Sequence, residues 1–381
     1  MFACRIPAMV LLVFALVLPA TANAQAIESS AREAVLIEMA TGTVLLDKNA
    51  ETPMPPASMT KIMTLYMLFE QLANSSLSLE DTFLVSEKAW RMGGSKMFVE
   101  VGDQIRVEDL IRGIIVHSGN DASIVVAEGL AGSEEAFADR MTERGRELGL
   151  TDTLFMNATG WPADGHHTTA HDLARLAMLT IKNFPEYYRY YSETEFTYSD
   201  ITQGNRNPLL YRNIGADGLK TGHTEEAGYG LAASAERDGR RLILVVNGLD
   251  SVQARADEST RLFNFGFREF GNYKMFSANE TVSEAELWLG QEATVPLVLA
   301  DDLVVTLPRA ARREMEVRVV YDGPIATPLA AGTPIARLVI SAPNMEPLTY
   351  PLLAGESRAR LGMFGRLVAA LRHLVWGAAF S

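Results

Sequence analysis

The stretch YGLAASAERDGRRLILVVNGL, residues 229–249, decides the fold of the first part of the chain. Two runs of apolar and β-forming residues, 229–236 and 241–249, flank the tetrapeptide RDGR. Asp-Gly is a strong signal for a tight hairpin turn, because both central positions of that turn need positive φ. The sequence therefore predicts a β-hairpin that turns at Asp238 and Gly239.

A second pair of β-type runs lies near the start of the chain, at 33–39 and 42–48, with Gly42 at the turn between them. These runs predict another hairpin. Helical periodicity fills the chain between the two hairpins, and strands at both ends with helices between them predict a layered α/β domain. The predicted helices begin near Ala57 or cover 106–116, 120–130, 134–148 and 170–181.

From about Met275 the chain changes to short β-type segments, which Pro and Gly interrupt. This pattern predicts a small all-β second domain over 275–355. The segments cover 293–299, 302–307, 314–323 and 336–341.

The C-terminal stretch reverses the charge of the chain, because residues 357–381 contain four arginines and neither Asp nor Glu. At helical spacing its apolar residues share one face. A terminal helix docked on its own domain would show the same pattern. A basic amphipathic helix is also typical of an interfacial anchor, and we expect 356–381 to lie on an anionic membrane surface.

The composition limits the class of protein. The chain has 381 residues, of which 48% are hydrophobic, and this is enough for two packed cores. Its net charge of -13 has the wrong sign for a nucleic-acid partner, so we expect no nucleic acid to bind.

Residues 1–24 have the layout of a secretory signal, with an apolar run over 9–18 and Ala22-Asn23-Ala24 before the expected cleavage site. The apolar run is too short for a membrane-spanning helix. Cleavage would remove Cys4, the only cysteine, so we expect an exported protein without disulfides. The first domain would then cover 25–274.

The segment PASMTKIMTLYMLFE, residues 56–70, places Ser58 three positions before Lys61 at the predicted helix start. That spacing puts both side chains on one face of a helix. A serine hydroxyl needs a neighbouring base to become a nucleophile, and a buried lysine near positive potential can lose its proton near neutral pH. A capping serine beside a surface lysine would give the same pattern, so the motif alone is weak.

Two further segments carry candidate chemistry. In HSGND, Ser118 and Asn120 stand at a helix junction, where turn and cap residues are common; they could instead relay a proton and hold Lys61. In DGLKTGHT, Lys220 and Thr221 could bind a carboxylate at a strand edge, and Gly222 could let a substrate approach closely. A solvated lysine at a strand end is the alternative.

Together the three motifs resemble the signature of the penicillin-recognising serine acyltransferases, Ser-x-x-Lys, Ser-x-Asn and Lys-Thr-Gly. The segments PPASMTKIMT, GSKMFVEVGD, HSGNDAS, NATGWP and LKTGHTEEAGYG are similar to those of the penicillin-binding protein 5/6 type, the serine D-alanyl-D-alanine carboxypeptidases. The resemblance covers essentially the whole mature chain. It implies an α/β (α+β) domain with an antiparallel sheet flanked by helices, followed by a small all-β domain and a terminal amphipathic helix.

The resemblance also implies roles by position. Ser58 would be the acyl-ester nucleophile, Lys61 the proton acceptor and Ser118 the proton relay. Lys220 would clamp the substrate carboxylate, and the backbone N–H groups of Ser58 and His223 would form the oxyanion hole. The remaining residues expected to bind substrate are Thr221, Gly222, Asn120 and Arg206.

The implied activity is hydrolysis of the terminal D-Ala-D-Ala bond of peptidoglycan pentapeptides, with β-lactam antibiotics as acylating inhibitors, at the periplasmic face of the bacterial cytoplasmic membrane. No cofactor or metal is expected, because His167 and His171 have zinc-pair spacing but the sequence places His167 outside the helix. A D,D-endopeptidase or a β-lactamase on the same core, and a cell-wall scaffold without catalysis, are the alternatives.

Overall fold

A computed structural model describes residues 27–343 and 345–368. The expected signal peptide and the last part of the expected C-terminal helix lie outside these residues. The strands are β1 Glu33–Glu38, β2 Val44–Lys48, β3 Thr82–Leu84, β4 Gln104–Arg106, β5 Glu195–Tyr198, β6 Ile201–Gly204, β7 Ala216–Thr224, β8 Gly228–Arg237, β9 Arg240–Leu249, β10 Phe270–Phe276, β11 Thr281–Trp288, β12 Thr294–Val298, β13 Leu303–Pro308, β14 Glu316–Val320, β15 Ile325–Ala326, β16 Pro334–Ser341 and β17 Leu348–Ala354.

The helices carry the apolar periodicity that the sequence predicts, and each predicted helical segment overlaps one of them. Short 3₁₀ turns cover Ala57–Thr60, Arg189–Ser192, Pro208–Tyr211 and Ala311–Glu314. The α-helices are α1 Lys61–Ala73, α2 Glu87–Arg91, α3 Val107–Ile115, α4 Asn120–Ala131, α5 Glu134–Glu147, α6 Ala170–Asn183, α7 Pro185–Tyr188 and α8 Val252–Glu269.

The hairpin predicted from residues 229–249 is present as β8 and β9. Asp238 and Gly239 form its turn with φ of 51° and 74°, which is the positive-φ pair that a tight hairpin needs. The predicted hairpin of β1 and β2 is also present. These strands and β7 make a five-stranded sheet in the order β2-β1-β9-β8-β7, and its neighbouring strands run antiparallel.

Helices cover both faces of this sheet. Alternate residues of a strand point to opposite sides, so a strand that is apolar throughout packs against helices on each side. Val35 and Ile37 of β1 belong to a large apolar core with α1, α3, α4, α5 and α6. Leu36, between them, belongs to a smaller core with Leu262 and Phe263 of α8. This confirms the predicted α/β domain of an antiparallel sheet flanked by helices.

The all-β domain has its own core and a sheet in the order β14-β16-β17-β12-β11-β15. Polar side chains join it to the first domain. The buried Glu38 carboxylate accepts a hydrogen bond from Asn272 Nδ2 at 2.7 Å, and Thr41 Oγ1 lies 2.6 Å from Thr306 Oγ1. Residues at the turn between β1 and β2 therefore contact strands β10 and β13 directly.

Residues 363–368, the last of the described part, are helical. Their apolar side chains are largely exposed: Met363, Phe364, Leu367 and Val368 keep 60–86% of their accessible surface. In the described part of the chain, no helix has the length and apolar character needed to cross a membrane.

Candidate active site

Ser58 and Lys61 lie where the sheet meets α1. The sequence predicts a helix from about Ala57, but the first four residues form a 3₁₀ turn and α1 begins at Lys61. A 3₁₀ turn has three residues per turn, so residues three apart are eclipsed. Lys61 Nζ accordingly lies 3.1 Å from Ser58 Oγ, and the tighter turn aligns the pair more closely than an α-helix would.

The Lys61 amine is fully buried between three oxygen atoms. Besides Ser58 Oγ, it contacts Asn120 Oδ1 at 2.7 Å and the Thr159 carbonyl oxygen at 2.6 Å. Both carbonyl oxygens can only accept hydrogen bonds. A neutral amine would therefore direct its two N–H bonds at Asn120 and Thr159, which leaves its lone pair facing the Ser58 hydroxyl.

The surroundings of Lys61 favour this neutral form. Burial, and next the positive charge of Arg206, lower its pKa from 10.5 to about 7. The carboxylates of Asp121 and Glu134 act in the opposite direction and limit the shift. A base with a pKa near the working pH is efficient in proton transfer, so the site can activate Ser58 at neutral pH.

Ser118 and Asn120 lie at the start of α4, and the structure tests the simpler interpretation of them as caps. The N-cap position is Gly119, and no side chain caps this helix. Asn120 instead donates from Nδ2 to the Gly93 carbonyl at 2.9 Å, which orients its Oδ1 toward Lys61. Ser118 is 2% exposed with φ of 59°, and its hydroxyl makes no side-chain hydrogen bond within residues 27–343 and 345–368.

Lys220 lies on β7, the edge strand of the five-stranded sheet, next to the turn that carries Ser58. It is 2% exposed, and its ammonium contacts only the Thr221 carbonyl, at 3.3 Å, among the described residues. Burial, followed by the positive charges of Lys61, Arg206 and Arg255, lowers its pKa well below 10.5. This amine is buried with little hydrogen bonding, as expected for a group that awaits an anion.

The three residues that follow Lys220 on β7 have different surroundings. Thr221 is 6% exposed, and the His223 ring packs 4.0 Å from the Tyr229 ring. A Cβ on Gly222 would lie 3.0 Å from the Pro56 carbonyl oxygen and 3.1 Å from Ala57 Cβ. The glycine thus lets β7 approach the turn that holds Ser58, whereas the sequence suggested that it makes room for substrate.

Arg206 contributes through its charge. It lies just after β6 and donates from Nη1 to Ser95 Oγ, and its positive charge lowers the pKa of both Lys61 and Lys220. The structure therefore brings five of the predicted residues into one site, in which hydrogen bonds or charge interactions connect Ser58, Lys61, Asn120, Lys220 and Arg206.

The sequence interpretation missed the loop NATGW, residues 157–161, as a part of the site. Its Thr159 carbonyl binds Lys61, and Gly160, at φ 79°, packs so closely that a Cβ there would be 1.7 Å from the Ala57 carbonyl oxygen. It also missed Arg255, a buried side chain on α8 that donates to the Gly222 carbonyl at 3.4 Å. The first carried a signal only in the family resemblance of NATGWP, which assigned it no role, and the second resembles any helical arginine.

The histidines near α6 have local partners. The helix begins at Ala170, as predicted, and Thr169 caps it by accepting a hydrogen bond from Asp172 N at 3.0 Å. His167 Nδ1 contacts the Gly165 carbonyl oxygen at 2.7 Å, while His171 Nδ1 lies 3.6 Å from Glu51. No group of three metal-ligating side chains occurs in the part of the chain that the structure describes.

An edge strand with a lysine, a serine at a helix start and a second lysine beside it define a penicillin-recognising serine acyltransferase. Comparison with known proteins makes this more specific. The D-alanyl-D-alanine carboxypeptidase family matches residues 20–251, and the penicillin-binding protein 5 C-terminal domain matches 270–360. The chain belongs to the D-alanyl-D-alanine carboxypeptidase family, which consists of serine peptidases.

Relatives match over most of their length. D-alanyl-D-alanine carboxypeptidase DacC of Escherichia coli is 36% identical over 92% of this chain and 90% of its own. The structure of penicillin-binding protein 5 from Haemophilus influenzae has a TM-score of 0.80 at 33% identity, covering 88% of this chain and 99% of its own. Ampicillin-bound penicillin-binding protein D2 from Listeria monocytogenes has a TM-score of 0.58 at 30% identity, covering 64% of this chain and 99% of its own.

Proposed function

We propose that this enzyme hydrolyses the terminal D-Ala-D-Ala bond of peptidoglycan stem pentapeptides through an acyl-enzyme on Ser58. One observation carries the mechanism. Lys61 Nζ lies 3.1 Å from Ser58 Oγ and 2.7 and 2.6 Å from two carbonyl oxygens, so in the neutral amine two N–H bonds directed at the carbonyls leave the lone pair facing the hydroxyl. Membership of the carboxypeptidase family and the names of its relatives support the substrate.

Acylation begins when Ser58 Oγ attacks the carbonyl carbon of the penultimate D-alanine and its proton passes to Lys61 Nζ. The carbonyl oxygen becomes negative and lies between the backbone N–H groups of Ser58 and His223, where fixed donors stabilise it. The C–N bond then breaks, and the leaving amine takes up a proton from Lys61, with the Ser118 hydroxyl as the relay. The products are the acyl ester of Ser58 and free D-alanine.

Deacylation repeats these steps with water as the nucleophile. Lys61, neutral again, takes a proton from the water as its oxygen attacks the ester carbonyl. When the C–O bond to Ser58 breaks, that proton returns to Ser58 Oγ. The enzyme is restored, and the shortened peptide leaves with a new carboxyl terminus.

Substrate recognition uses the edge of β7. An extended peptide can hydrogen-bond to the open edge of a sheet as an added strand would. The terminal carboxylate would then bind Lys220 and the Thr221 hydroxyl, with Arg206 adding positive charge. An anion within about 4–6 Å favours the ammonium form of a lysine, so the carboxylate reverses the effect of burial on the pKa of Lys220.

β-Lactams would react at the same serine. Attack by Ser58 opens the lactam ring, but the amine formed stays tethered to the acyl group and keeps the site occupied. The ampicillin-bound relative from Listeria monocytogenes supports this inference. A β-lactamase, an endopeptidase and a scaffold without catalysis are less well supported, because the curated relatives are named carboxypeptidases.

Release of D-alanine from a D-Ala-D-Ala pentapeptide tests the mechanism. Wild-type protein is expected to release it, and Ser58→Ala is expected to release none above background. Ser76→Ala is the matched control, since Ser76 is exposed on the loop after α1. Release by Ser58→Ala at the wild-type rate would disprove the role of Ser58, and no release by wild type would favour a scaffold.

We also propose that the protein is exported and lies on the periplasmic face of the cytoplasmic membrane through its C-terminal helix. Support comes from the signal-like residues 1–24, the basic amphipathic pattern of 356–381 and the exposed apolar side chains at 363–368. The measurement is partition onto anionic vesicles of mature protein and of protein truncated after Gly355. Equal binding by both would reject this helix as the membrane element.

A further inference from the structure

Asn157 organises the loop that touches Lys61. Its Oδ1 accepts hydrogen bonds from the backbone N–H groups of Thr159, Gly160 and Trp161, at 3.1, 2.8 and 3.1 Å. It also accepts from Thr159 Oγ1 at 2.9 Å, and Nδ2 donates to the Trp161 carbonyl at 2.9 Å. One side chain therefore fixes a segment that belongs to no helix or strand.

The bond to Gly160 has a particular consequence for the base. In a trans peptide the N–H and C=O of one unit point in opposite directions within a plane. The Gly160 N–H belongs to the same peptide unit as the Thr159 carbonyl. When Asn157 holds that N–H on one side, the carbonyl oxygen points the other way, where Lys61 Nζ donates to it at 2.6 Å.

We propose that Asn157 is a positioning residue for the general base: it aims the Thr159 carbonyl at Lys61 and so keeps the amine lone pair on Ser58. Without this acceptor, one N–H of Lys61 loses its partner, and the amine can rotate its lone pair away from the hydroxyl. The proposal rests on the proposed function, because it assumes that Lys61 is the base.

Other contacts hold the loop in place when Asn157 is removed. Thr64 Oγ1 donates to the Ala158 carbonyl at 2.7 Å, and Gly160 packs against Ala57. The Asn157→Ala protein should therefore fold with the loop near its place but with the Thr159–Gly160 peptide plane less well fixed. Its effect should appear in catalysis rather than in substrate binding.

The decisive experiment is the pH dependence of D-alanine release by wild type, Asn157→Ala and Asn157→Asp. Asn157→Ala should lower kcat about tenfold or more, as small misplacements of catalytic groups do, with KM nearly unchanged. Its acid limb should move to lower pH, because the ammonium form of Lys61 loses an acceptor. Asn157→Asp keeps the Oδ1 acceptor, loses the Nδ2 donor to Trp161 and adds a negative charge, so it should retain more of the kcat than Asn157→Ala while its acid limb moves to higher pH.

Asn74→Ala is the matched control. Asn74 makes the same kind of bond, accepting from Ser76 N two residues ahead at 2.9 Å, but it lies at the far end of α1 from Lys61. Its kcat and pH profile should equal those of wild type. Thr159→Val removes the hydroxyl but not the backbone contacts, and it should cause a smaller loss than Asn157→Ala.

A wild-type kcat and pH profile in Asn157→Ala would overturn the proposal. So would a loss of kcat that matches the loss of folded protein, measured by near-ultraviolet circular dichroism. If Asn157→Ala does not fold, an acid limb in Asn157→Asp that fails to rise would be the contrary result. If wild type releases no D-alanine, the proposed function fails, and the same pH profiles are measured on acylation by a fluorescent penicillin.

Discussion

The two buried lysines interact electrostatically, and their surroundings differ. Lys61 has three oxygen neighbours within 3.1 Å, including the hydroxyl that it would deprotonate. Lys220 has a single protein acceptor, at 3.3 Å, among the described residues. Burial lowers the pKa of both. One amine has a complete set of protein partners, while the other lacks the partner that a substrate carboxylate would supply.

Because of this difference, we expect the two lysines to affect different kinetic parameters. A base acts on the reacting atoms, so its loss should lower kcat. A group that binds a remote carboxylate equally in the ground state and the transition state should change KM. The positive charge of Lys61 also lowers the pKa of Lys220, because like charges disfavour each other.

The largest effect is expected at Lys61. Lys61→Ala should lower kcat about a thousandfold, because a positioned general base contributes about 10²–10⁴-fold. KM should change little. The measurement is steady-state release of D-alanine together with the rate of Ser58 acylation by a fluorescent penicillin. A comparable rise in KM with an unchanged kcat would contradict the role of Lys61 as the base.

A smaller effect is expected at Lys220. Lys220→Ala should raise KM about ten- to a hundredfold, since a hydrogen bond to a charged group contributes about 1.5–3 kcal/mol. A pentapeptide with a C-terminal amide should bind wild type as weakly as it binds the variant. If the amide peptide discriminates between the two proteins as strongly as the free acid does, the carboxylate clamp is wrong.

The pH dependence should separate the lysines again. Activity should rise with pH through about 7, because Lys61 acts as a base only after its ammonium has lost a proton. At higher pH, KM should rise, because the lowered pKa of Lys220 makes it lose charge well below 10.5. Lys220→Arg should abolish this alkaline rise in KM. A rise that persists in Lys220→Arg would assign it to another group.

The smallest effect concerns stability. Unfolded Lys61 keeps its proton up to about 10.5, whereas the folded amine loses it near 7, so the unfolded state binds more protons between these values. The free energy of unfolding should therefore rise with pH across this window, by at most about 1.4 kcal/mol per pH unit for one group. Lys61→Met should flatten the slope and be the more stable protein near pH 7, as urea unfolding can measure.

The sequence predicted those features that depend on residue type and local spacing. Asp238 and Gly239 predicted their hairpin because few residues tolerate positive φ at both positions. The spacing of Ser58 and Lys61 predicted a shared face whichever helix type formed. The sequence placed Lys220 where a strand would begin, whereas it lies in the middle of β7, and the edge position of β7 is known only from the structure.

What the sequence could not predict depends on backbone geometry and distant packing. The third partner of Lys61 is a carbonyl oxygen, which every residue has, so Thr159 carries no sign of its role. Gly222 is required by Ala57, which lies far away in the chain, and this requirement appears only after folding. The order of strands in the β domain is equally hidden, because β15 pairs in parallel with β11 over only two residues.

The edge of β7 that pairs with no other strand also affects how the protein behaves in concentrated solution. A strand that must stay unpaired to receive a peptide can also pair with the strand of another molecule, which is why exposed edges promote aggregation. Glu225 and Glu226 follow this strand, and the chain as a whole carries a charge of -13. Repulsion between like-charged copies opposes such pairing at neutral pH. Acidification removes that repulsion, so colloidal stability and substrate access depend on the same strand.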